Sequence, residues 1–70
     1  MLTQGHSVIK SSELIQCLGF TDRYRLLLSH GGEFRVHIER REAYGAVSEA
    51  YLYEGVDLDA ANRVFDRYSK

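Results

Sequence analysis

The sequence predicts an α+β domain. It is a three-stranded antiparallel meander with a short N-terminal helix and a C-terminal helix packed on one face, in the order α-β-β-β-α. Three observations carry this. Residues 23–53 alternate apolar and polar side chains with the period of strands. Gly31-Gly32 and Gly45 interrupt the alternation where hairpin connections belong. After Gly55 the period becomes helical, with Leu58, Ala61, Val64, Phe65 and Tyr68 on one stripe.

Residues 1–10 are expected to fray, and Ser7-Val8-Ile9-Lys10 is too short to assign. Ser11 or Ser12 can N-cap a short helix through Leu18, with Glu13 in the first turn, where a negative charge suits the dipole. Leu14, Ile15 and Leu18 would be its buried stripe, and Gly19 stands where a C-terminal cap residue belongs. A strand through Val8 and Ile9 continuing into this segment is the alternative. Arg23 to Ser29 holds Leu26, Leu27 and Leu28 in a row, a pattern that suits a strand or a helix capped by Thr21 or Asp22. The strand is preferred because His30-Gly31-Gly32-Glu33 reads as a hairpin connection.

Phe34 to Arg41 alternates cleanly, with Phe34, Val36 and Ile38 against Arg35, His37 and Glu39. Tyr44-Gly45 marks the second turn. Ala46 to Glu54 forms the third strand, with Ala46, Ser48, Ala50 and Leu52 on one face and Val47, Glu49, Tyr51 and Tyr53 on the other. Asp57 caps the last helix by accepting from the amides of Asp59 or Ala60, and the helix runs from about Leu58 to Tyr68. Asp59 in its first turn and Arg67 and Lys70 in its last suit the dipole.

Seventy residues make a single domain, 1–70, that buries only about 60% of its unfolded surface. One cysteine allows no intrachain disulfide, and three scattered histidines do not make a zinc site. Self-association remains as a source of stability, so a homodimer is a natural expectation. A net charge of −1 disfavours nucleic acid, whose binders usually carry a basic excess. No apolar run approaches a membrane span, no signal peptide is visible, and the unpaired thiol suits a reducing cytoplasm.

Catalytic chemistry finds little support. Cys17 sits in the apolar run Leu14 to Leu18 and reads as a buried small hydrophobe. Glu39, Glu42, Glu49 and Glu54 stand beside arginines and read as cross-strand charge pairs. Gly31-Gly32 lacks the Lys-Ser/Thr and following helix of a phosphate loop. Arg63, Arg67 and Lys70 share one helix side, with Asp59 and Asp66 near enough to pair, and read as a solvated face. No cofactor or metal is expected. The order α-β-β-β-α is also that of double-stranded RNA-binding domains. The motifs of those domains are missing: the last helix begins Asp57-Leu58-Asp59-Ala60, and the first hairpin loop is only His30-Gly31-Gly32.

What remains is a surface. If Phe34, Val36 and Ile38 face the helices, then Arg25, Arg35, His37, Tyr51 and Tyr53, with Leu27, form the outer sheet face. Arg and Tyr are the residues most enriched at binding hot spots. The expected function is a small non-enzymatic interaction module or accessory protein. It would dock through that face or a sheet edge, onto another protein or itself. A nucleic-acid-binding domain using the same face is the alternative.

Overall fold

Three long strands and one helix form where the alternation and caps place them, while the N-terminal segment differs. The computed structural model describes residues 6–69. Its elements are β1 (His6–Ser11), β2 (Ile15–Cys17), β3 (Phe20–Ser29), β4 (Phe34–Glu42), β5 (Val47–Gly55) and α1 (Leu58–Tyr68). All strand pairs are antiparallel. The sheet order is β1-β3-β4-β5, with β2 also on β3 beyond β1. Residues 6–29 therefore form a hairpin whose first arm is interrupted at Ser12 to Leu14.

The expected N-terminal helix is replaced by β1 and β2, so the sheet has five strands rather than three. Nearly every helix signal there has a second use. Ser12 does not cap: its hydroxyl accepts from the Tyr24 amide at 2.9 Å, and its own amide donates to the Tyr24 carbonyl at 2.8 Å. Gly19 does take a positive φ of 90°, but in the turn between β2 and β3 rather than at a helix end. Leu14 and Leu18 are exposed, and Ile15 alone of that stripe packs against the core. Residues 6–10, expected to fray, belong to β1; residues 1–5 lie outside the described residues.

Both later hairpins have three-residue loops. The Ser29 amide donates to the Glu33 carbonyl, and the Glu42 amide to the Ala46 carbonyl, each at 2.8 Å. Gly32 and Gly45 hold φ of 83° and 91°, which side chains with a Cβ rarely adopt. Asp57 accepts from the amides of Asp59 and Ala60 as expected.

Helix α1 packs on one sheet face. Tyr24, Leu26, Val36, Ala61 and Phe65 form the buried cluster, bordered by Ile15, Phe34, Ile38, Tyr53 and Val64. Two residues before Tyr24, buried Asp22 accepts two bonds from Arg40, at 2.8 and 3.0 Å, and the Arg40 guanidinium covers the Phe20 ring.

Candidate docking surface

Opposite the helix, the outer face carries a lattice of neutralised charge. Arg25 lies across from His37, and Arg35 across from Leu27. Arg25 donates to Glu39 at 3.0 Å. Arg35 donates to Glu33 at 2.9 Å and meets Glu54 at 3.0 Å without hydrogen-bond alignment. It also lies 2.6 Å from His6 Nε2, which must accept, because a guanidinium has no lone pair to offer. Glu39 and Glu49 are directly opposed, which like charges disfavour, and each leans to a different partner. Glu39 takes Arg25, and Glu49 accepts from His37 Nε2 at 2.6 Å. The Arg25 hydrogen bond holds the Glu39 carboxyl below the usual Glu range, with Arg25 and Arg41 charge adding to it.

Four of the five residues expected on this face meet there: Arg25, Arg35, His37 and Tyr51. His37 and Tyr51 are 5.6 Å apart between ring centroids, and Arg35 lies 5.6 Å from the Tyr51 ring. Tyr51 stays exposed, while Arg25, Arg35 and His37 are not stranded in solvent. His37 is 1% exposed and Leu27 0%, sealed under neighbouring side chains.

Tyr53 is the correction. It points to the helix side, packs against the core and donates to the Asp57 carbonyl at 3.4 Å. The cause is a bulge: Val36 pairs with Tyr53 while His37 pairs with Tyr51, so Leu52 is an extra residue. One inserted residue puts 51 and 53 on opposite faces. A second correction concerns Cys17, which is exposed because its segment is an edge strand rather than a packed helix.

The surface that side-chain patterning missed is the backbone edge of β5. Ala46 accepts from Glu42, so its polar groups point to β4. By antiparallel alternation those of Ser48 and Ala50 do too, and those of Val47, Glu49 and Tyr51 point away from the sheet. Proteins usually blunt such edges with Lys, Pro or short strands. The opposite edge is blunted: it is interrupted at Ser12 to Leu14, bulged between Val8 and Lys10, and carries Lys10. β5 runs nine residues without interruption and with neither Lys nor Pro, its one irregularity being the bulge at Leu52. Beside it lies an open groove of about 640 Å³, lined by Leu52 and Tyr53 of the strand and by Arg63, Val64, Arg67 and Tyr68, among others, of α1. The available signal was positional: the last strand of a meander is always an edge.

Among the described residues no three of His, Cys, Asp and Glu gather as a metal site, and no helix is long and apolar enough to cross a membrane. The molecule is thus a small α+β domain, a five-stranded antiparallel sheet with one C-terminal helix. Compared with protein-family models, with curated proteins and with solved structures, the chain finds no match.

Proposed function

We propose that this chain is a small non-enzymatic, cytoplasmic protein–protein interaction module that docks through the edge of its sheet. One observation carries the reading: ahead of its bulge at Leu52, β5 presents the outward backbone groups of Val47, Glu49 and Tyr51 with no Lys or Pro among them, while the opposite edge is interrupted. An extended segment can add to such an edge, gaining affinity from main-chain hydrogen bonds and specificity from alternate side chains. The occupant is a partner chain or a second copy. The outer face supports β5 from below, since Tyr51 rests on His37 and Arg35.

Val47→Pro combined with Tyr51→Lys tests this. Both substitutions sit where the backbone points outward, so the β4 ladder survives. Native chain, this variant and Arg25→Ala would each capture partners from host extract. The reading expects capture by the native chain and by Arg25→Ala, and loss in the edge variant while its circular dichroism stays native. Equal capture by the edge variant refutes it.

Nucleic-acid binding on the outer face is the second reading, favoured by the Arg35 guanidinium lying over the Tyr51 ring. It has less support because Glu39, Glu33 and Glu54 already occupy the Arg25 and Arg35 guanidiniums. A salt titration with mixed oligonucleotides tests it, and no binding at low salt removes it.

A further inference from the structure

We propose that the strand added to β5 is an acidic, extended segment of a partner protein, held on the helix side by Arg63 and Arg67. This rests on the edge-docking reading above. Lys10, Arg25, Arg35, Arg40 and Arg41 each have a carboxylate within 4 Å. Arg23, Arg63 and Arg67 have none among the described residues; Arg23 belongs to β3, and the other two share α1 with Asp59 and Asp66. Asp66 turns to Lys10 instead, at 3.7 Å. The two arginines line the groove that opens beside Leu52 and Tyr53, together with Asp66, whose carboxylate is turned to Lys10. Side chains of an added strand alternate between the two faces, so every second one would enter that groove mouth. There carboxylates meet two arginines over an apolar floor formed by Leu52 and Val64.

The outer side asks for something different. Glu49 and Glu54 line β5 there, so the intervening residues of the segment would be neutral or apolar. A second copy fits poorly. Two β5 edges paired around a twofold axis would place both helices on one face, with the Arg63 and Arg67 sides turned toward each other. The β5 strands themselves would bring carboxylates and no cation.

The probe is a capped synthetic heptapeptide alternating Glu with Val, compared with the same peptide bearing Lys for Glu. Binding to the full chain is read by fluorescence anisotropy, and amide exchange is followed by NMR. The Glu peptide should bind, slow exchange at Val47, Glu49 and Tyr51, and weaken with salt. Arg63→Ala with Arg67→Ala should lower its affinity about tenfold, and Lys at both positions should restore most of it. Equal binding of the Lys peptide, or unchanged affinity in the double Ala variant, overturns the acidic partner. Slowed β5 amides in that result would leave edge docking standing. Absence of any β5 protection sinks both. Light scattering that finds a dimer with β5 amides already slowed, before peptide is added, makes the occupant a second copy and overturns the proposal. Displacement of the peptide by an oligonucleotide, dependent on Arg63 and Arg67, overturns it in favour of phosphate.

Discussion

Phe65→Ala should remove most of the stability of this domain. Phe65 is nearly buried and touches the cluster of Tyr24, Leu26, Val36 and Ala61, joining helix to sheet. Truncating such a ring costs about 3–5 kcal/mol, from lost transfer energy and the cavity left behind. The Lys10 ammonium lies 4.6 Å from the ring centroid, and losing that contact adds about 0.5 kcal/mol at an exposed site. A chain of this length holds roughly 4–10 kcal/mol in all. Urea unfolding followed by circular dichroism would read the loss. With a slope near 1 kcal/mol per molar, the midpoint should fall by about 3 M, or the variant should start partly unfolded. Arg63→Ala, on the exposed side of the same helix, should stay within about 0.5 kcal/mol. A Phe65→Ala cost near that of Arg63→Ala would mean that α1 is not docked on the sheet, and the groove beside β5 would go with it.

Three further outcomes follow from the same contacts. Arg40→Ala leaves the buried Asp22 carboxylate without its two hydrogen bonds and should destabilise the domain more than Arg63→Ala does. Urea midpoints would check it, and a loss no larger than that of Arg63→Ala would show that solvent replaces Arg40 freely. Asp57→Ala should cost about 1 kcal/mol by freeing the amides of Asp59 and Ala60, seen as reduced helix signal and earlier melting. Glu39 has a folded pKa below its unfolded value near 4.3, so its contribution is complete above that value and is lost as pH falls through the lower folded one. Glu39→Gln should flatten the acid limb of stability below the ordinary Glu range, and parallel limbs for variant and native would contradict the ion-pair account.

Local signals reached the last helix and the hairpins because their causes are local. Asp57, the stripe ending in Tyr68 and the positive-φ glycines each act within a few residues. The N-terminal arm was different. Its strand exists only because β3 offers an edge twelve residues on, where the Ser12 hydroxyl finds Tyr24. A serine, an acid and a following glycine read the same to a helix cap and to a broken strand with a tight turn. The bulge at Leu52 was equally hidden. Alternation over Ala46 to Glu54 gives no sign of an extra residue, because the bulge is imposed by the match to β4, and it moved Tyr53 alone out of the expected face. Burial of His37 and Leu27 on the outer face also came from long neighbours folding over them, which period does not encode. Arg63 and Arg67 were visible as a pair on one helix side, but their place beside an open strand edge required the tertiary fold.

Hydrogen–deuterium exchange on the chain alone and on its captured complex addresses edge docking most directly. The amides of Val47, Glu49 and Tyr51 should exchange freely in the isolated chain, and those of Ser48 and Ala50 slowly. In the complex all five should be slow, with the outer-face lattice unchanged. Fast exchange at Val47, Glu49 and Tyr51 in a complex that instead shields the outer face around Arg25 and Arg35 would contradict docking at the β5 edge.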